Sequence, residues 1–400
     1  MPSTTEEAAQ LLTAAAVRDR CHIVLAAAER GKTAHFGLVP ARLDEAARRV
    51  AEVTRRRYPN LAVPYHSRWR HFSAGGVDRA ALVAPGAAKA EAARARIDLA
   101  FVSVLLDAGA GGGWCLHEAE TGLVLSRSEG LAVASLRAMQ SGLFSANPAD
   151  PWRADAEALS QLTAKRLADA FQHGAENELL GIEARAALLP RLGGVCAANA
   201  ALFGAPARLG NLFDYWSERG EEISAPEILH TLLEVLGPIW PGRLSLAGVP
   251  LGDCGRHPAV PGNGLVPFHK LSQWLAYSLV EPLEAAGLRV TDIDGLTGLA
   301  EYRNGGLFID CGVIEARDPD LLRQSLEPQS ETVVEWRALT VALLDRLAAL
   351  VRRRLGRSRQ EFPLACVLEG GSWAAGREIA FDRRPDGSAP ITIISDGTLF

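Results

Sequence analysis

The stretch Glu331-Thr-Val-Val-Glu-Trp-Arg-Ala-Leu-Thr-Val-Ala-Leu-Leu-Asp-Arg-Leu-Ala-Ala-Leu-Val-Arg-Arg-Arg-Leu355 decides the fold class. Trp336, Leu339, Leu343, Leu347 and Leu350 follow the three–four spacing of a buried helical stripe. Arg352, Arg353 and Arg354 set positive charge against the negative end of the helix dipole, and Gly356 supplies a stop. The same period appears over Leu43–Tyr58, with Ala46, Val50 and Val53 on one side and arginines on the other. Ala87–Asp107 starts polar and turns wholly apolar through Ile97–Leu106, the pattern of a helix driven into a core, with Gly109 as its C-cap. Further helices are expected at Glu129–Ser141, Ala154–His173, Ile182–Phe203 and Pro226–Leu236, and around Leu271–Leu283. Pro241–Gly264, rich in glycine and proline, reads as a long ordered loop. The tail changes character: Gly376–Phe381 and Pro390–Ile394, separated by Asp386-Gly387, read as a β-hairpin. The expectation is a mainly α, multi-helix globular body over residues 1–360, with a small C-terminal β-hairpin or sheet element over 361–400 packed on it.

Four hundred residues with 48% apolar side chains suffice for a sizeable core. The net charge is −5 and arginine is dispersed, so no basic stripe calls for nucleic acid. No apolar run reaches membrane-spanning length and no signal-peptide pattern opens the chain, so a soluble, cytoplasmic protein is expected, without a membrane partner. Cys21, Cys115, Cys196, Cys254, Cys311 and Cys366 are scattered without a C-x-x-C pair, as befits reduced thiols.

Five tracts carry candidate chemistry. In Leu296–Gly312, Glu301 and Asp310 are two carboxylates able to divide acid and base work, with Arg303 and Asn304 beside them. Gly305-Gly306 reads there as a tight turn that directs these side chains into a pocket. A salt bridge from Arg303 to either carboxylate is the structural alternative. In Ser67–Arg79, Arg68, Arg70 and His71 could grip an anion and Trp69 could stack on a planar group; an Asx-type turn at Asp78 is the plain alternative. Asp107-Ala-Gly-Ala-Gly-Gly-Gly-Trp114 has the wrong spacing for a dinucleotide loop and follows a helix instead of opening one, which leaves a cap, with Asp107 facing a cavity and Trp114 as a second stacking candidate. Ser128 would cap a helix starting near Glu129, and Glu129 could accept from a substrate hydroxyl. His269, Gln273 and Tyr277 share one helical face and could line a pocket. Asp253, His257 and His269 lack a recognised metal-binding spacing, so no metal site is assigned. Neither a P-loop nor a nucleophile elbow is present.

Several long tracts together carry a resemblance. They are Arg70–Arg79, Ser103–Gly111, Ser128–Ser135, Ile239–Arg243, Val266–Trp274, Leu299–Leu307, Glu369–Arg377 and Ser395–Phe400. Through them the chain resembles the uracil catabolism protein 4 family, a domain of unknown function, over nearly its whole length. The resemblance implies a role in a reductase-independent route of pyrimidine degradation that passes through a ribosylated intermediate and ends in urea and a three-carbon acid. It carries over no catalytic residues. Ala300-Glu-Tyr-Arg303 is also similar to the Ala-Asp-Tyr-Arg tract of the queuosine-salvage nucleotide glycosidases, helical proteins related in fold to DNA glycosylases, and Leu189–Val195 resembles a helix-hairpin-helix turn. Glu301 is one methylene longer than the aspartate of that tract.

These resemblances imply hydrolysis of an N-glycosidic bond in a ribosylurea-like or pyrimidine-derived ribonucleotide, without a cofactor. Glu301 or Asp310 would supply the carboxylate. Arg303 or Arg70 would hold a phosphate, Asn304 and His71 would hydrogen-bond the urea or sugar, and Trp69 or Trp114 would stack. Asp107, Glu129, His269 and Gln273 complete the substrate-binding set. Two alternatives stand beside this reading. One is a non-catalytic partner that holds a nucleotide intermediate or contacts other uracil-catabolism enzymes; the other is a metal-dependent amidohydrolase acting on the opened ring.

Overall fold

The Glu331–Leu355 helix has the ends its sequence predicts. Ser330 caps it by accepting the Val333 N–H at 3.4 Å, and Gly356 leaves it in the left-handed region at φ +64°. Both its flanks are apolar enough to be covered, and it packs against the Ala14–Glu29 and Leu43–Arg57 helices. The coordinates are a computed structural model that describes residues 4–240 and 244–394. They are mainly α, and the described strands pair only two at a time. The expected tracts Ile239–Arg243 and Ser395–Phe400 therefore lie partly and wholly outside the described residues.

The chain divides into two compact units. Among the described residues, one comprises 4–66, 244–273 and 292–394; the other comprises 67–240 and 274–291. The helical body expected over 1–360 is thus shared between them, and residues 361–394 count with the first.

In the first unit the Tyr302–Asp310 and Trp373–Arg383 helices lie against each other. This corrects the expected hairpin: Gly376–Phe381 is helical, and only Thr392–Ile393 forms a strand, parallel to Ser325–Leu326. The turn at Asp386-Gly387 stands, with Gly387 at φ +60° and the Ser388 N–H on Asp386. The helix wins because Gly376 allows close packing. A Cβ there would lie 2.2 Å from the carbonyl oxygen of Arg303. Gly376→Ala should therefore cost about 1–3 kcal/mol by overpacking. Gly194→Ala, at a helical position with open space around its Cβ, should instead stabilise by up to about 1 kcal/mol. Denaturant midpoints of the two variants decide the point.

Gly305 and Gly306 are likewise helical instead of forming a turn. Gly305 is small because Trp336 occupies its side-chain space, 2.7 Å from where a Cβ would sit, and the Trp336 indole N–H donates to the Gly305 carbonyl at 3.1 Å. The expected loop over Pro241–Gly264 contains three short strands in its described part. Ser245–Leu246 pairs with Val249–Pro250, and Cys254–Arg256 with Leu265–Pro267.

In the second unit the Lys89–Leu105 helix is buried from Ile97 onward and packs against Arg127–Gln140. Its C-terminal end is not closed by Gly109. The Arg185 guanidinium donates to the carbonyls of Leu106 (2.6 Å), Ala108 (3.1 Å) and Gly109 (2.5 Å), satisfying acceptors that the helix end leaves open. Residues 154–173 form two short helices, Ala156–Ser160 and Ala164–Ala170, because Asp155 and Thr163 each cap a new start. Residues 182–203 break at Asn199 into Ile182–Ala198 and Ala200–Phe203. Among the described residues no helix is long and apolar enough to cross a membrane, and all six cysteines are free thiols.

Candidate functional site

In the first unit the chemistry gathers where helix ends meet. Asp253 builds the first piece. Its carboxylate takes two hydrogen bonds from Arg337 (2.8 and 2.7 Å), whose guanidinium lies 4.0 Å over the Phe268 ring. Burial pushes the Asp253 carboxyl up, but Arg337 outweighs it and holds the group down at about 2. The carboxylate then accepts the Lys270 N–H at 3.0 Å, at the start of the Lys270–Ala286 helix. His269, one residue earlier, sits at φ +49°, a conformation non-glycine residues seldom hold, so the ion pair keeps a strained turn in front of Lys270.

The second piece is Glu301. It is the N-cap of the Tyr302–Asp310 helix and accepts the N–H groups of Arg303 (2.7 Å) and Asn304 (2.5 Å). Each carboxylate oxygen retains a lone pair beyond these bonds. Burial raises the Glu301 pKa above its ordinary value; the two N–H groups and the positive charges of Lys270 and His66 oppose the rise without cancelling it. Asn304, fully buried, accepts the Ser372 hydroxyl at 2.8 Å.

Ser372 closes the π-helical turn Leu368–Ser372, which joins Leu364–Val367 to Trp373–Arg383. Such turns widen the backbone locally and recur at functional sites. This one carries Glu369, which binds His66 Nδ1 at 2.9 Å, the Tyr58 hydroxyl at 3.1 Å and Arg57 at 3.2 Å. Burial raises the Glu369 pKa, yet these partners overcome it and hold the carboxyl below the usual range.

The second unit has its own buried charge centre, built around Arg68. This guanidinium is fully buried. It pairs with Asp107 at 2.7 Å and donates to Ser103 Oγ (2.7 Å), the Ser128 carbonyl (3.1 Å) and His71 Nδ1 (3.0 Å). Because a guanidinium only donates, Nδ1 of His71 is the accepting nitrogen, which leaves the Nε2 side to carry a proton. The Trp274 ring lies 5.3 Å from Arg68 and 5.6 Å from the His71 ring. Glu129 acts on Arg68 through its charge. Burial nevertheless lowers the Arg68 pKa, and its Nη2 makes no hydrogen bond among the described residues. Ser128 donates to Asp107 at 3.2 Å instead of capping; the helix starts at Arg127, which stands at φ +54°. Strained backbone thus directly precedes Ser128 and Glu129.

The structure sorts the expected residues. In the first unit Glu301 and Asn304 stand together with Lys270, His66 and Glu369. In the second, His71, Asp107 and Glu129 surround Arg68. The others are committed elsewhere. Asp310 ends the helix that Glu301 begins, roughly 13 Å along its axis. It is held bidentately by Arg384 (2.8 and 2.5 Å), so the two carboxylates do not form a pair. Arg303 donates to the Gly387 carbonyl at 2.8 Å, and Arg70 pairs with Glu281 at 2.6 Å. Trp69 and Trp114 donate their indole N–H groups to Ser278 and Phe171 carbonyls, both at 2.8 Å. His269 bonds the Leu11 carbonyl at 2.9 Å, and Gln273 exchanges hydrogen bonds with Thr297. Asp253, His257 and His269 have separate partners and form no common ligand set. Sequence reasoning missed Lys270, His66, Glu369 and Trp274. Rarity was a usable signal for Lys270: only four of the 42 basic residues are lysine.

Asp310→Asn should cost about 1 kcal/mol or less, as for a partly exposed ion pair, and leave any turnover within about two-fold. A rate loss as deep as that of a Glu301 variant would show that Asp310 takes part in the chemistry.

Residues 10–400 match the family described as a protein of unknown function (DUF1688), and the chain belongs to that family. It is 40% identical to Protein urg3 of Schizosaccharomyces pombe, over 99% of this chain and 100% of that protein. It is 36% identical to Uracil catabolism protein 4 of Lachancea kluyveri, over 92% of this chain and 93% of that protein.

Proposed function

We propose that this protein acts in uracil catabolism and hydrolyses the N-glycosidic bond of a ribosylurea-like or pyrimidine-derived ribonucleotide. The relative named Uracil catabolism protein 4, similar from end to end, supports the pathway. The observation that carries the reaction is Glu301: a carboxylate fixed by two backbone N–H groups, raised in pKa by burial, with the positive charge of Lys270 and His66 acting on it.

Cleavage of the C1′–N bond develops positive charge on the sugar and negative charge on the leaving nitrogen. Glu301, ionised, steadies the sugar cation and accepts a proton from the attacking water, for which a raised pKa makes it the stronger base. The water oxygen bonds to C1′, the C1′–N electron pair leaves with the nitrogen, that nitrogen takes a proton from solvent, and Glu301 releases its own to solvent, so the net change is addition of water. The products are the free sugar phosphate and urea, or the pyrimidine-derived base. The Arg303 and Asn304 N–H groups, and after them the charge of Lys270, favour the ionised form of Glu301 against its burial. The test is urea release from synthetic ribosylurea phosphate by purified protein.

A second reading, a non-catalytic partner that holds the intermediate, is favoured by the Arg68 centre. A buried guanidinium with a free Nη2 donor, an imidazole and an indole would suit a planar polar ligand. That reading predicts thermal stabilisation by the same compound without turnover.

A further inference from the structure

A group of donors in the first unit, unused by the proposed chemistry, stands at the opening of the Glu331–Leu355 helix. Glu331 and Glu335, one turn apart, face His35, which precedes the Phe36–Leu38 strand. One donor atom from each of His35, Glu331 and Glu335 lies within 4.8 Å of the other two. His35 Nε2 is already 3.5 Å from Glu331 Oε1. A tetrahedral shell with bonds of about 2.1 Å places its donors roughly 3.4 Å apart, so little closure is required. The two flexible members can provide it, since the side chains of His35 and Glu331 are 28% and 43% exposed.

Glu335 is the fixed member, with no exposed side-chain surface. It accepts the Phe36 N–H at 2.7 Å through Oε1 and stands 3.2 Å from His257 Nε2 through Oε2. His257 Nδ1 accepts the Ala259 N–H at 3.2 Å, so in the neutral ring Nε2 carries the proton and donates to Glu335. His257 is then a positioning residue that orients a ligating carboxylate, the usual arrangement behind a metal ligand. Among the described residues, Glu335 has no arginine or lysine partner; its ionic contact is to His257. Two carboxylates at i and i+4 repel, and among the described residues neither forms an ion pair with an arginine or lysine.

We infer that His35, Glu331 and Glu335 form a binding site for a divalent transition cation of the zinc class. One imidazole and two carboxylates favour borderline ions such as Zn²⁺ or Co²⁺ over Mg²⁺, and three protein ligands leave a position for water. The site clips the strand-leading residue His35 to the first turn of the helix. It is independent of the Glu301 chemistry.

The test is titration of untagged, chelator-treated full-length protein with Co²⁺, read by visible absorption, and with Zn²⁺, read by calorimetry and thermal shift. One ion per chain is expected, with a rise in melting temperature. His35→Ala and Glu331→Gln remove exposed side chains that leave the core intact, and each should weaken binding at least about ten-fold. Glu301→Gln should leave metal binding unchanged. Absence of saturable Co²⁺ binding by about 1 mM, or binding undiminished in both variants with unchanged circular dichroism, overturns the assignment.

Discussion

Glu301→Gln should lower the rate of urea release by about 10²–10⁴-fold while leaving the protein as stable as before, or more so. The two halves have one cause. Burial raises the Glu301 pKa in the folded state, so the fold favours its protonated form. Its favourable contribution is present below the unfolded pKa and is lost as pH rises through the folded one. At neutral pH the ionised carboxylate is therefore a cost to stability, which glutamine removes. The amide oxygen can still accept the Arg303 and Asn304 N–H groups, which limits the loss of capping, worth about 1 kcal/mol for a full deletion. The pH–rate profile gives a second readout. The acidic limb should lie above the ordinary glutamate value of 4.5, because activity needs the ionised form, and it should vanish in the variant. An undiminished rate in Glu301→Gln would end the proposed mechanism. A loss of rate matched by a loss of fold would mean that Glu301 only caps its helix.

Arg79→Leu should destabilise the protein by about 3–5 kcal/mol, the largest stability effect expected of a single change here. Arg79 and the Glu118 carboxylate are both fully enclosed, bonded Nε to Oε1 at 2.7 Å and Nη2 to Oε2 at 2.5 Å. Arg79 Nη1 also donates to the carbonyls of Phe72 (3.2 Å), Ala74 (2.7 Å) and Val77 (3.2 Å). The variant thus leaves three acceptors and part of a buried carboxylate without their donor. Arg137 still pairs with Glu118 at 2.6 Å, which keeps the cost finite. Those three carbonyls belong to the 68–77 segment that carries Arg68 and His71. Any stabilisation by ribosylurea phosphate should weaken along with the fold.

The same pair sets an acid limit. Burial raises the Glu118 pKa, but Arg79, Thr121 and Arg137 outweigh it and hold the carboxyl at about 2. Its contribution is present above the ordinary value of 4.5 and disappears as pH falls toward 2. In Arg79→Leu the acid unfolding midpoint should move upward. Urea denaturation across pH 2–7 measures both effects. A wild-type midpoint in Arg79→Leu would show that Arg137 alone satisfies Glu118.

How far the sequence could be read follows from the range of each signal. The Glu331–Leu355 helix was legible because its stripe, its terminal arginines and its closing glycine are local. Gly376–Phe381 was not, because six residues of mixed polarity suit a strand as well as a helix. What settles them is the approach of Gly376 to the Arg303 carbonyl from a distant part of the chain. Gly305-Gly306 misled for the same reason: glycine signals conformational freedom in a sequence, but here it provides room for Trp336.

The candidate site divides along the same line. That Glu301, His71 and Asp107 lie in polar tracts between apolar runs was evident from the residue types. Which side chains they meet was not. His66 reaches Glu369 across 303 residues, and Arg68 reaches Ser103 across 35. Asp310, nine residues after Glu301, points to a different partner because one helix holds the two carboxylates at opposite ends. The sequence by itself determined the strongly periodic helices, the mainly α class and the family, because periodicity and long motifs act over neighbouring residues. Only the tertiary structure decided which carboxylates stay available and which are spent on arginines, because burial and ion pairing depend on distances in space that sequence separation does not encode.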